Sequence, residues 1–153
     1  MTHLQVGDKA PKFTALDQHG KKISLADFKG QKLALYFYPQ DLTAACTTQA
    51  CNLRDHYAAL LKAGIAVVGV SPDAAEKHLT FIEKNQLPFP LITDPGHKLI
   101  NLYGVWGEKQ LYGRKYMGLH RTTFMINQKG LIEKIFLRPK NKAHAEEILA
   151  QPA

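Results

Sequence analysis

The chain has 153 residues, of which 45% are hydrophobic and 22% are charged, as in an ordinary globular protein. This length predicts one domain over residues 1–153, and no apolar stretch is long enough to cross a bilayer. A formal net charge of +7 is compatible with an anionic partner, but Lys and Arg are spread along the chain, which argues against nucleic-acid binding. Asp8 and Lys9 precede any apolar signal segment, so we expect a cytoplasmic protein that makes no membrane contact.

The apolar pattern predicts strands that alternate with helices. A glycine turn at Gly20 predicts an N-terminal β-hairpin, and continuous apolar runs at 33–38 and 65–70 predict buried strands. The predicted strands are 13–16, 22–25, 33–38, 65–70, 91–93, 121–126 and 131–137. The predicted helices are one that begins near Cys46 and ends near Ala63, and three others at 71–85, 94–103 and 142–150.

This order of elements defines the expected fold class. Crossover units come first along the chain and an antiparallel hairpin comes last, which gives a mixed central sheet flanked by helices on both faces. A thioredoxin-like α/β fold with an N-terminal β-hairpin meets this description. The function must be argued from the site, since one fold supports many activities.

The two cysteines, Cys46 and Cys51, carry the chemical information. Cys46 follows a buried strand and lies in or near the first turn of a helix. Backbone N–H groups there have no partner within the helix and the helix dipole is positive, so a thiolate is favoured. This position therefore suits a nucleophilic cysteine.

The spacing of these cysteines limits what else they do. A Cys-x-x-Cys redox pair is absent, and Cys46, Cys51 and His56 rotate around a helix in steps of five, so they cannot share one face as metal ligands. On an intact helix the Cα atoms of Cys46 and Cys51 are about 8.7 Å apart, whereas a disulfide needs less than about 6.8 Å. A disulfide thus requires local unwinding. A role as small buried side chains stays open, more so for Cys51.

Several motifs resemble a known family. The pattern Pro39-x-x-x-Thr43-x-x-Cys46 resembles the active-site motif of peroxiredoxins. The flanking segments 36–39 and 46–55 are similar to the bacterioferritin comigratory protein, or Q-type, subfamily. Further matches occur at 6–13, 104–109 and 118–124, so the resemblance covers nearly the whole chain.

The resemblance implies a role for each matching residue. Cys46 would be the peroxidatic thiolate that attacks a peroxide and becomes a sulfenic acid, and Cys51 would resolve that acid into a disulfide. Thr43, at the helix N-cap, would offer a hydroxyl to the thiolate or the peroxide. Pro39 would shield the thiolate, and Arg121 would supply a fixed cation that favours the thiolate and stabilises charge as the O–O bond breaks.

The implied activity is a thiol-dependent peroxidase for hydrogen peroxide or alkyl hydroperoxides. It uses no metal or organic cofactor, its reductant is of the thioredoxin type, and a monomer suffices because resolution occurs within one chain. Two alternatives stay open: a disulfide reductase or isomerase on the same fold, and a non-catalytic holdase or redox-sensing interaction module.

The sequence departs from the family pattern at two places. Ala44 and Ala45 stand where relatives commonly have Pro and Gly, and two alanines favour a more regular first helical turn. Gln49 stands where many relatives have Glu, so a neutral hydrogen bond to the arginine replaces a charged contact.

Overall fold

The computed structural model describes residues 2–150, and this range contains nine strands and five α-helices. The strands are β1 (Thr14–Leu16), β2 (Lys22–Ser24), β3 (Lys32–Phe37), β4 (Ile65–Ser71), β5 (Leu91–Thr93), β6 (Trp106–Leu111), β7 (Arg114–Leu119), β8 (Thr122–Ile126) and β9 (Ile132–Phe136). The helices are α1 (Ala44–Asp55), α2 (Tyr57–Lys62), α3 (Ala75–Asn85), α4 (Lys98–Leu102) and α5 (His144–Leu149), and a 3₁₀ helix covers Leu25–Phe28. No helix in the described range is long and apolar enough to cross a membrane.

Strands from both halves of the chain form one mixed sheet. Within residues 2–150 its order is β2-β1-β5-β4-β3-β8-β9. Strand β3 pairs parallel with β4 and antiparallel with β8, and β4 pairs parallel with β5. The hairpin β1–β2 joins β5 at one edge, and β9 forms the other edge. The predicted mixed sheet with an N-terminal hairpin and a C-terminal antiparallel pair is therefore confirmed.

The central strand β3 is buried on both faces because its side chains alternate between two apolar clusters. Leu33, Leu35 and Phe37 point into one cluster, which also contains residues of α4. Ala34 and Tyr36 point into the other, where α1, α2, α3 and α5 cover the sheet. Cys46 belongs to this second cluster.

Helix boundaries differ from the sequence prediction in instructive ways. The first helix is interrupted at His56, whose φ of −107° departs from helical geometry and whose Nδ1 bonds the carbonyl of Asn52. The second helix begins at Ala75 rather than at Ser71, because Ser71 is the last residue of β4. The third helix is shorter than predicted, since Asp94 lies before it and accepts N–H bonds from its first turn. The last helix is also shorter, at His144–Leu149 rather than 142–150.

A two-stranded ribbon, β6–β7, was not predicted from the sequence. Its turn is Tyr112-Gly113, where φ is +52° and +77°, the left-handed geometry of a tight type I′ hairpin. The ribbon is solvent-exposed along much of its length, and Tyr112 at its tip is 99% exposed. The alternation of apolar and polar residues that marks a half-buried strand is therefore missing.

Candidate active site

Cys46 is the third residue of α1, directly after the loop that leaves β3. Thr43 occupies the N-cap position with an extended backbone, and its carbonyl accepts the N–H of Thr47 at 2.9 Å. The N–H of the third helical residue is among those that no helical carbonyl can satisfy. The Cys46 side chain is only 1% exposed, so the sulfur lies in a site from which most water is excluded.

Arg121 reaches this sulfur from the sheet. It immediately precedes β8, and because β8 runs antiparallel to β3, the start of β8 lies beside the end of β3 from which the Cys46 loop departs. Its Nη2 donates to Cys46 Sγ at 3.2 Å, and its Nη1 donates to Gln49 Oε1 at 2.5 Å. Gln49 lies three residues after Cys46, on the same helix face, so one planar guanidinium bridges both side chains. The contact places a fixed positive charge beside the sulfur of Cys46.

Two buried polar groups beside this pair have no hydrogen-bond partner among the described residues: Gln49 Nε2 and the hydroxyl of Tyr36. Burial raises the pKa of Tyr36 well above its usual value, the charge of Cys46 adds to the shift, and Arg121 opposes it. The hydroxyl therefore stays protonated. Sequence reasoning did not single out Tyr36, although the alternation of β3 places it on the helix-covered face that also contains Cys46.

The other motif residues lie in the loop before α1. The Thr43 hydroxyl donates to the carbonyl of Gln40 at 3.1 Å, so its proton is directed at the loop rather than at the sulfur. Its oxygen lone pairs stay available as acceptors. Pro39 is half-buried, and Leu42 adopts a φ of +68°, in the left-handed region.

Cys51 lies apart from Cys46 and outside the arginine contact. Both thiols are free and both belong to the uninterrupted helix α1, so their Cα atoms are about 8.7 Å apart by helix geometry. Cys51 Sγ lies 3.6 Å from Asn85 Oδ1 at the end of α3. Arg54 Nη1 donates to the carbonyl of the same Asn85 at 2.7 Å, which fixes this part of α1 against α3. The structure thus brings Cys46 and Arg121 together and keeps Cys51 at a distance that no disulfide spans.

Asn52, next to Cys51, connects α1 to the last helix. Its Oδ1 accepts the N–H of Ala145 at 2.7 Å, and its Nδ2 donates to the carbonyl of Lys142 at 3.1 Å and to Glu146 Oε1 at 2.9 Å. One side chain of α1 therefore satisfies a free N–H of the first turn of α5.

A cavity of about 430 Å³ lies at the other end of β3, with Phe13, Phe28, Leu33 and Ile126 among its lining residues. Leu33 is near the start of β3, whereas the Cys46 loop leaves from its end. Neither cysteine lines this cavity. The cavity is therefore separate from the buried Cys46–Arg121 contact.

The chain matches a known protein family over most of its length. The model of the AhpC/TSA family matches residues 6–135. The chain is similar to a putative peroxiredoxin bcp of Haemophilus influenzae, with 49% identity over 149 residues, 97% of this chain and 96% of the relative. It is also similar to peroxiredoxin Bcp of Escherichia coli, with 45% identity over 149 residues and the same coverage of 97% and 96%.

Among solved structures, it is similar to the bacterioferritin comigratory protein of Xanthomonas campestris, which was studied for alkyl peroxide reduction. The TM-score is 0.86 at 29% identity, and the match covers 98% of this chain and 96% of the other. This likeness confirms the thioredoxin-like fold that the sequence predicts.

Proposed function

Because the chain belongs to the AhpC/TSA family and is a peroxiredoxin of the Bcp type, a thiol-dependent peroxidase, we propose that Cys46 is its peroxidatic nucleophile. The observation that supports this assignment best is the 3.2 Å contact from Arg121 Nη2 to Cys46 Sγ. It joins the residue at the start of a helix to a cation in a site that excludes water, which is where electrostatic stabilisation is strongest.

The proposed first step is a displacement at oxygen. The Cys46 thiolate attacks the terminal oxygen of the peroxide, so an S–O bond forms as the O–O bond breaks. The leaving hydroxide or alkoxide takes up a proton and departs as water or an alcohol, and Cys46 is left as a sulfenic acid. Arg121 stabilises the thiolate before attack and the charge on the departing oxygen during it, while Gln49 holds the guanidinium in position.

The proposed second step uses Cys51. Its thiol attacks the sulfenic sulfur and expels water, so that a Cys46–Cys51 disulfide replaces two oxidisable groups. The helix must unwind for this, since about 8.7 Å between Cα atoms has to shrink below about 6.8 Å. A dithiol of the thioredoxin type then returns both cysteines to thiols by disulfide exchange.

The remaining parts of the proposal follow from this cycle. Both hydrogen peroxide and alkyl hydroperoxides are substrates, in line with the alkyl peroxide reduction studied in the Xanthomonas relative. The enzyme acts as a monomer, because both cysteines belong to one chain. It works in the cytoplasm, where reducing systems keep such thiols free between turnovers.

The experiment compares Cys46→Ser and Cys51→Ser with the wild type. Peroxide loss is followed with a thioredoxin system, and peptide masses are recorded after one equivalent of peroxide. Cys46→Ser should consume no peroxide, whereas Cys51→Ser should react once and stop as the sulfenic acid, which only a second equivalent of peroxide would convert to the sulfinic acid. Turnover by Cys46→Ser would refute the nucleophile, and full turnover by Cys51→Ser with this reductant would refute the resolving role. Disulfide reduction without peroxide loss would favour a disulfide reductase.

A further inference from the structure

The loop that leads to Cys46 is fixed by a buried polar network centred on Asp41, which is 1% exposed. Its Oδ1 accepts the hydroxyl of Tyr38 at 2.5 Å, and its Oδ2 faces Nδ1 of His78 at 2.5 Å. The backbone N–H of Asp41 donates to Asp73 Oδ2 at 2.7 Å. Asp41 is therefore attached to the end of β3 through Tyr38, to the segment after β4 through Asp73 and to α3 through His78.

The protons of this network can be placed from its geometry. His78 is fully buried, and its Nε2 faces the carbonyl of Ile92 at 2.9 Å, which can only accept. Nε2 thus carries a proton, and a second proton lies between Nδ1 and the Asp41 carboxylate. The other acid, Asp73, is paired with Lys77 at 3.3 Å. One polar side-chain atom from each of Asp41, Asp73 and His78 lies within 4.8 Å of the other two, so these three side chains form one compact, largely buried cluster.

The next residue, Leu42, is the conformationally strained residue of this turn. Its φ of +68° is one that leucine rarely adopts, because its Cβ crowds the backbone there. Its side chain is 39% exposed, so its own packing does not hold this conformation. Such a residue persists when the surrounding structure fixes it, here by Asp41 on one side and by α1 from Ala44 onward on the other.

We propose that Asp41 is a positioning residue: the buried Asp41–His78 pair holds Leu42 in its left-handed conformation, which orients Thr43 and the first turn of α1 for the peroxide step. The same turn, with Leu42 at its centre, holds conformational strain while α1 is intact, and we call it the loaded turn. When α1 unwinds, Leu42 can relax to an ordinary conformation while Asp41 stays fixed, so the relief of strain favours opening. This rests on the proposed function insofar as opening leads to the Cys46–Cys51 disulfide.

A pair of substitutions at position 42 tests the loaded turn without any peroxide chemistry. Asn tolerates the left-handed region and β-branched Val does not, so Leu42→Asn should stabilise the closed helix and Leu42→Val should weaken it. In the reduced protein, amide exchange at residues 47–51 should slow by roughly three- to tenfold in Leu42→Asn and speed up in Leu42→Val. Equal amide exchange rates in the wild type and both variants, or the reverse order of rates, would overturn the inference that the loaded turn holds strain.

The same two variants report on the catalytic cycle. Disulfide formation after one equivalent of peroxide should slow in Leu42→Asn by about the factor seen in exchange, and the sulfinic form of Cys46 should accumulate more at high peroxide. If exchange changes as expected but the wild type forms no Cys46–Cys51 disulfide, the proposed resolving step fails and the inference about the turn stands. Altered exchange with an unaltered rate of disulfide formation would refute the link between the turn and resolution.

The role of the Asp41–His78 pair is tested with the double variant Asp41→Ala/His78→Leu, because either single change leaves a buried polar group without its hydrogen-bond partner. We expect the rate constant for peroxide attack to fall roughly tenfold or more, since Thr43 and the first helical turn lose their reference position. The control is Asp94→Ala, which removes a buried carboxylate whose hydrogen bonds among the described residues go to two N–H groups of α4 rather than to the loop before Cys46. It should lose stability without a comparable loss of rate.

Rescue separates positioning from a general loss of stability. If the Asp41–His78 pair acts by holding Leu42, then adding Leu42→Asn to the double variant should restore part of the rate for peroxide attack, because Asn adopts the left-handed turn unaided. A merely stabilising pair would not be rescued by residue 42. An unchanged rate in the double variant, an equal loss in Asp94→Ala, or no recovery in the triple variant would each overturn the proposal.

Discussion

Replacing Arg121 by alanine removes the one described cation in hydrogen-bond contact with Cys46 Sγ. A guanidinium and a thiolate whose charges are about 4 Å apart attract by about 4 kcal/mol at the effective dielectric constant of about 20 that suits protein sites. Arg121 is itself half-buried, so solvent screens part of this attraction. We therefore expect Arg121→Ala to lose about 2–4 kcal/mol of transition-state stabilisation, a rate decrease of roughly 30- to 1000-fold.

The assay is a stopped-flow measurement of the second-order rate constant between reduced protein and hydrogen peroxide, which isolates the first step from reductant turnover. Arg121→Lys should fall between wild type and Arg121→Ala, because an ammonium keeps the charge but cannot bridge Cys46 and Gln49 as a planar fork. Arg54→Ala is the matched control. It removes an arginine from α1 that bonds Asn85 and Asp55 but not Cys46.

Circular dichroism should show that all three variants are folded, so that a slow rate is not an unfolded population. An unchanged peroxide rate constant in folded Arg121→Ala would refute the electrostatic reasoning. Equal decreases in Arg121→Ala and Arg54→Ala would do so as well, because they would indicate a general effect of helix stability.

Three further outcomes are expected. Ala45→Gly lowers helix propensity in the exposed first turn of α1, so disulfide formation should accelerate by roughly two- to fivefold, as read by rapid quench and mass spectrometry. Burial lowers the pKa of His144 below 6.5, so the unfolded chain binds a proton that the folded chain resists, and stability falls as pH drops below 6.5. His144→Gln should flatten this slope by up to about 1.4 kcal/mol per pH unit in urea unfolding between pH 7.5 and 5.5. Tyr36→Phe removes a buried hydroxyl without a partner among the described residues and should leave the unfolding free energy unchanged or raise it by about 1 kcal/mol; a clear loss would show that the hydroxyl is satisfied.

Much of the fold was predictable because its central strands are continuous apolar runs. Strand β4 is buried over its whole length, and β3 nearly so, which is the pattern of a strand covered on both faces. The ribbon β6–β7 was missed for the opposite reason, since most of its residues are exposed to solvent and its turn is Tyr-Gly rather than Asn-Gly. The interruption at His56 was missed because no Gly or Pro marks it in the sequence, and because one of the contacts of His56 is with Glu146 in the distant helix α5.

Some features of the candidate site could be predicted from neighbouring residues in the sequence, whereas others depend on contacts between residues far apart in the sequence. The position of Cys46 at a helix start followed from the strand-to-helix pattern around it. The contact with Arg121 joins residues 75 apart in sequence, so only the resemblance to a family motif pointed to it. Asp41 and His78, which are 37 apart, carry no such motif, and Tyr36 looks like any aromatic residue of a buried strand. Partners of this kind emerge only when the sheet order brings their elements together.

The hydrogen bonds of the Asn52 side chain couple the structure of α1 to that of α5. Asn52 satisfies an N–H and a carbonyl at the start of α5, yet it is the immediate neighbour of Cys51, which the proposed disulfide would displace. Oxidation that pulls this stretch of α1 out of register would withdraw the cap and leave α5 to fray. The order of α5 would then depend on the oxidation state of the cysteines in α1. A spectroscopic label attached to α5 would therefore sense the redox state of the enzyme.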